Sequence, residues 1–324
     1  MITPPHFSAQ YSDHVTNQTG GRLLSGGRGQ LTTGTLDNRG LWQASRLALT
    51  ADTLFNQGTL LGLDDGDLQL TGAYQGGADS RVGSNGAFSL NAATIANAGQ
   101  WQAQNVTLRG GRLNNQGAIT ASGQLSATLA DALENTAGAA LTGGTVSLGA
   151  ATVSNGGQIQ GRNSLTVDGG RRLDNLSGGQ LLSGGQLALS TAQLDNRGTL
   201  QAQNGLTLRL PQWTNAGTVQ AGQLDITIDG ALENRGTLLG LTRLALQAAS
   251  LTNADGARLY SAGGLQLRTG QLVQNGQLAA LGDLRADIGN PFTFTRTLAA
   301  GGQLTLNVTG DLVQAGTLQG HGVT

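Results

Sequence analysis

Apolar residues in this chain come in short alternating runs. In residues 194–210, LDNRGTLQAQNGLTLRL, one run reads T-L-x-A (199–202) and the next places Leu206 and Leu208 two apart. The same L-x-L spacing recurs at Leu244 and Leu246 and at Leu265 and Leu267. A period of two predicts strands with one buried face. The runs are too short for helices and carry no 3.6-residue period. Asn and Gly punctuate them, and both tolerate positive φ, so Asn-x-Gly is expected to be a turn.

The runs recur in a fixed frame. The anchors are Asn17, Asn38, Asn56, Asn97, Asn115, Asn135, Asn155, Asn175, Asn196, Asn215, Asn234 and Asn253, with Gln274 and Gln314 in the same place. An apolar residue lies two before most anchors, as at Leu36, Leu113, Leu194 and Trp213, and a Gly two or three after. Most steps are 18 to 21 residues. Steps of 41 and 40 each hide a degenerate repeat, near Gln75 and near Thr295. The count is about 16 repeats of about 20 residues.

One such unit cannot bury its apolar face alone, whereas stacked units can, each strand pairing in parallel with the next about 4.8 Å away. The expected fold is all-β: a right-handed parallel β-helix of about 16 coils, roughly 75 Å long. Residues 1–16 read as a non-repeat amino-terminal segment or cap containing Pro4, Pro5, Phe7 and Tyr11. Residues 17–324 read as one continuous β-helix, irregular near 72–88 and 285–297. Asn38, Asn56, Asn97, Asn115, Asn135, Asn155, Asn175, Asn196, Asn215, Asn234 and Asn253 are expected to form a structural ladder, each side chain bonding to backbone or to its equivalent one coil on. Trp42, Trp101 and Trp213 stand where Leu, Ile or Val stand elsewhere, so they read as core.

Composition narrows the function. Glycine accounts for 53 of 324 residues and charged residues for 11%. Cysteine is absent, which excludes disulfides and thiolate metal sites. All 18 basic residues are arginine, and the net charge of -1 gives no electrostatic case for nucleic acid. No run of 18 apolar residues is present. The start lacks the basic and apolar regions of a signal peptide, and the end falls partway through a repeat, so a piece of a longer protein is expected.

An L-[DEN]-N-x-G phrase on a 20-residue period resembles the filamentous haemagglutinin family, the exoproteins of bacterial two-partner secretion that include contact-dependent growth inhibition toxins. The resemblance covers about residues 17–320. It implies a β-helical stalk of a secreted, cell-surface exoprotein, exported through an outer-membrane two-partner transporter and presenting adhesive or toxic ends to other cells. The family's amino-terminal secretion domain with its Asn-Pro-Asn motifs is not visible, nor is a carboxy-terminal toxin or its Val-Glu-Asn-Asn boundary.

Two other readings compete. The β-helix also hosts polysaccharide-degrading enzymes, and Gly320-His321-Gly322 resembles a short polygalacturonase motif. The best carboxylate pair, Asp64 and Asp65, lies about 13 coils from His321, too far to share a proton, so no catalytic residue is expected. Leu63-Asp64-Asp65-Gly66-Asp67 lacks the spacing of calcium loops and reads as a solvated turn. Asp225 and Asp229 point outward, and the arginines scatter at turns rather than forming a patch. No metal or cofactor is expected.

The alternative is that the segment itself binds a receptor on a target bacterial or host cell, through the two breaks in the repeat. The candidate contacts are Tyr74 and Arg81 in the first break and Phe292, Phe294 and Arg296 in the second. Alternation places the last three on one face of a strand. Outward, they make a contact patch; inward, the preferred reading, they fill a wider coil. The chain is expected to be monomeric.

Overall fold

A computed structural model describes residues 6–324. These contain strands and turns and no helix. They fall into two compact units, the first holding the chain up to Arg162 with Thr166–Asp168, the second holding Asn163–Leu165 and Gly169–Thr324. Each is a parallel β-solenoid, and the described residues make about 17 turns at a spacing of about 19 residues.

The architecture follows from the alternation. In the first unit Leu36 pairs with Leu54 and Asn38 with Asn56, Trp101 with Ile119, and Leu113 with Leu133. In the second, Leu200 pairs with Val219 and Leu208 with Ile226, then Val219 with Leu238 and Ile226 with Leu246. Every such residue is buried while its strand neighbours face outward. A one-residue slip between coils would turn the whole apolar set to solvent, so the register is fixed by burial. The T-L-x-A and L-x-L runs often merge into one strand, as in Leu41–Ala51 and Thr199–Leu210. Thr218–Asn234 and Thr237–Asn253 each carry nearly a full coil as one continuous strand.

The first coil begins earlier than the repeat phrase suggests. His6–Gln10 pairs in parallel with Arg28–Thr32, and His14–Asn17 with Thr35–Asn38. Residues 6–16 are therefore solenoid rather than a separate segment, because their alternation (Phe7, Ala9, Val15) matches the coil above although their wording does not. Pro4 and Pro5 lie outside the described residues.

The glycines divide into two kinds. Where the turn is Asn-x-Gly, the glycine does not have a positive φ; it is required by the next coil. A Cβ on Gly58 would come within 2.1 Å of the Gly40 carbonyl oxygen, and one on Gly117 within 2.1 Å of that of Gly99. Where the turn is longer, Gly20, Gly138, Gly178 and Gly256 have φ between 76° and 83° and open space around the missing Cβ. After the anchor residue, left-handed backbone is thus found in the longer turns and not in Asn-x-Gly.

Candidate functional site

The buried asparagines form the most ordered polar feature. In the first unit the Nδ2 of Asn17 donates to Oδ1 of Asn38 at 2.7 Å and Asn38 to Asn56 at 2.8 Å. A second run goes from Asn97 through Asn115 and Asn135 to Asn155, each step 2.9 Å. In the second unit a run joins Asn175, Asn196, Asn215, Asn234 and Asn253 at 2.9–3.0 Å and ends on Gln274 at 3.3 Å. The same Nδ2 groups reach backbone carbonyls, as Asn115 does to Gly117 and Ala140. Buried amides need all their partners; one amide per coil supplies a donor upward and an acceptor downward, which is why the anchor is an amide and not an apolar residue.

The two breaks in the repeat are breaks in this ladder. Gly76, not Gln75, occupies the anchor register, pairing with both Asn56 and Asn97. Tyr74, at the apolar position two before it, fills the space: a Cβ on Gly76 would lie 2.6 Å from the Tyr74 hydroxyl. That hydroxyl accepts from Trp101 Nε1 at 3.2 Å. Trp101 also meets Tyr74 and Phe88 edge-to-face at centroid distances of 5.4 and 5.3 Å. Burial pushes the Tyr74 hydroxyl's pKa up, against smaller opposing effects of Asn56, Trp101 and Ser80. Asn56 Nδ2 and Ser80 Oγ face the same hydroxyl but form no well-aligned hydrogen bond with it, the cost of the missing rung. At the second break Phe294, not Thr295, holds the anchor register opposite Gln314.

These placements correct the candidate contacts. Phe292 is 1% exposed, Phe294 0% and Tyr74 0%, so none of the three presents a surface. Phe292 and Phe294 stack inside the coil at 5.7 Å. Alternation puts them inward because Ile288 and Leu298 on either side are buried too. Arg296 does not share their face: the strand ends at Phe294, and its guanidinium turns out to Asp255 at 3.1 Å. Arg81 is exposed at the start of Arg81–Ser84, on the outer side of the coil that buries Val82.

The remaining polar candidates sit on the outer surface. Leu63–Asp67 is not a turn but part of strand Thr59–Leu70, with a bulge where Ala44 to Arg46 face Gly62 to Asp65. Asp65 accepts the Ala87 N–H, and Asp67 accepts from Gln69 and Ser89. Among the described residues no group of three His, Asp or Glu side chains could hold a metal. Asp225 lies 3.7 Å from Arg243, and Asp229 and His321 are exposed. The arginines of the repeated phrase are not simply solvated: Asp37–Arg39, Asp195–Arg197 and Glu233–Arg235 each close a 2.8 Å ion pair around the buried Asn between them. That pairing was readable in the phrase, since residues two apart on a strand share a face.

The haemagglutinin repeat family matches residues 142–236, 219–287 and 295–324. This chain belongs to that family. It is 76% identical to a deoxyribonuclease CdiA of Dickeya dadantii, an alignment covering 98% of this chain and 10% of that protein. It is 33% identical to a tRNA nuclease CdiA of Yersinia mollaretii over 100% of this chain and 12% of that protein, and 31% identical to a tRNA nuclease CdiA of Escherichia coli over 81% of this chain and 8% of that protein. The chain thus spans about a tenth of the length of these relatives. No solved structure matches it. As a haemagglutinin-repeat region it is a stalk segment of a secreted exoprotein displayed at the cell surface.

Proposed function

We propose that this haemagglutinin-repeat segment acts as a spacer within a contact-dependent toxin: it holds a receptor-reading or toxic region away from the producing cell. The carrying observation is the packing. Every aromatic side chain at the repeat breaks turns into the core, and the ladder and apolar stacks extend each unit by about 4.8 Å per coil with no bound group required. The high identity to a CdiA protein over nearly the whole chain supports the toxin context. A nuclease activity, if the parent carries one, resides in other parts of it. Export through an outer-membrane two-partner transporter fits this reading, because each coil is stabilised mainly by its neighbours and can add in turn as the chain emerges. The segment is proposed to be monomeric.

The test uses the parent protein in competition co-cultures. Residues 97–134 are two coils measured anchor to anchor, and their deletion rejoins like with like. Inhibition of target cells is expected to persist at a similar level, with surface display intact by antibody labelling. Loss of target-cell adhesion at normal display would overturn the spacer role and make these coils themselves the receptor reader.

A further inference from the structure

Along the outer side of the anchor strand in the second unit, Asp174, Asp195, Thr214, Glu233 and Thr252 stand in register, one per coil. The coil carrying Thr214 departs from those on either side. They read Asp195-Asn196-Arg197 and Glu233-Asn234-Arg235; it reads Thr214-Asn215-Ala216. The short side chains of Thr214 and Ala216 leave a notch of about 950 Å³, and Pro211 and Gln212 shape its far wall. Trp213, whose buried indole Nε1 has no hydrogen-bond partner, belongs to the lining. The flanking coils are two rungs apart, so the opening is about 10 Å across, wide enough for one sugar chain.

The surplus of donors, not net charge, selects the ligand. Three guanidiniums, Arg172, Arg197 and Arg235, line the notch with Asp195 and Glu233, and Asp174 balances Arg172, which also lies 3.8 Å from Asp195. Each arginine is about half or more exposed, and each hydrogen-bonds its carboxylate through one nitrogen: Arg172 Nε to Asp174 at 2.7 Å, Arg197 Nη2 to Asp195 at 2.8 Å and Arg235 Nε to Glu233 at 2.8 Å. The ion pairs fix the planes of the guanidiniums and leave most of their N–H groups for an incoming acceptor. A planar fork of donors matches a carboxylate or a phosphate. The remaining Asp195 and Glu233 oxygens, the Thr214 hydroxyl and the Gln212 amide suit the hydroxyls of a sugar, which both donate and accept.

We propose that this notch is a binding site for an acidic saccharide, one whose sugar bears a carboxylate or a phosphate. The site goes beyond the spacer role and does not depend on it. Because the charges are exposed and screened, binding is weak, on the order of 0.1–1 mM, and weakens as salt rises.

The experiment titrates the full chain at low salt with three probes: a hexamer of galacturonate for the carboxylate source, a mannose-6-phosphate oligosaccharide for the phosphate source, and neutral maltohexaose. Saturable binding of either acidic probe, with maltohexaose at least tenfold weaker, is expected, and the tighter acidic probe names the source. The double variant Thr214→Glu with Ala216→Arg writes the neighbouring coils' phrase into the notch. Two acids in adjacent rungs are already tolerated at Asp174 and Asp195, so it should fold, with unchanged circular dichroism, and lose about tenfold in affinity. Arg197→Gln with Arg235→Gln removes the donors without filling the notch and should lose as much, so the test does not depend on one variant folding. Binding retained in either folded variant, equal binding of maltohexaose, or no saturable binding of any probe would overturn the assignment.

Discussion

Removing one rung of the asparagine ladder tests whether it holds the coils together. Asn115 is the cleanest position: it is fully buried, accepts from Asn97 and donates to Asn135, each at 2.9 Å, and to the carbonyls of Gly117 and Ala140. In Asn115→Ala, Asn97 Nδ2 keeps its bond to the Gly99 carbonyl, and the Gly117 carbonyl keeps that from the Ala140 N–H. The Asn135 Oδ1 loses its ladder donor. One buried acceptor stripped of its partner costs about 1–3 kcal/mol, and the other lost bonds add about 1 kcal/mol, so the expected loss is about 2–4 kcal/mol. Asn115→Asp sharpens the argument. It still accepts from Asn97, but its second oxygen faces three acceptors. Burial and those acceptors raise the folded pKa of the new carboxyl above its unfolded value near 4. A raised pKa means the protonated form fits best: the deficit is smallest below about pH 4 and grows as pH rises through the folded pKa. Because a repeat protein need not unfold in one step, the assay is native-state hydrogen exchange at the amides of Gln116 and Thr136, which bond to the carbonyls of Asn97 and Asn115. A loss below about 0.5 kcal/mol for Ala, or a pH-independent deficit for Asp, would refute the ladder's energetic role.

Three further outcomes follow from the same packing. Gly117→Ala should cost well over 2 kcal/mol because its Cβ meets the Gly99 carbonyl oxygen, whereas Gly138→Ala, at φ 81° in open space, should cost only about 1–2 kcal/mol; comparable melting temperatures for the two would contradict the division of the glycines. Tyr74→Phe should lose about 1–3 kcal/mol by orphaning Trp101 Nε1, and adding Gly76→Asn to Tyr74→Leu should recover that loss by restoring the rung, as measured by urea denaturation. The Asp287 carboxylate, hydrogen-bonded first by Asn307 and also facing Arg285 and Arg268, has its pKa lowered; its contribution is present above the unfolded value near 4 and lost as pH falls through the folded one, so Asp287→Asn should flatten the acid limb of the stability curve.

Much of this protein was legible in its sequence, and the reason is that the determining interactions repeat. The period-two alternation places Leu36, Leu113 and Leu200 inward whatever the neighbouring coil contains. A fixed spacing of anchors then leaves parallel stacking as the way to bury every apolar face at once. The family resemblance rests on the same phrase.

What the tertiary structure alone decided lies in the contacts between coils, which are separated by about twenty residues of chain. Gly76 and Phe294, rather than Gln75 and Thr295, are the anchors of the degenerate repeats because the coils above and below set the register. The glycine after the short turn is required by the neighbouring carbonyl, not by its own dihedral angle. Alternation left Phe292 and Phe294 with either face open, the inward one preferred, and the coil settles it: both are buried where the ladder fails, as is Tyr74, which takes the room an absent asparagine leaves. The notch at Thr214 and Ala216 exists only because charged pairs stand one coil away on each side. Local sequence sets which face a side chain takes; the adjacent coil sets what that side chain meets.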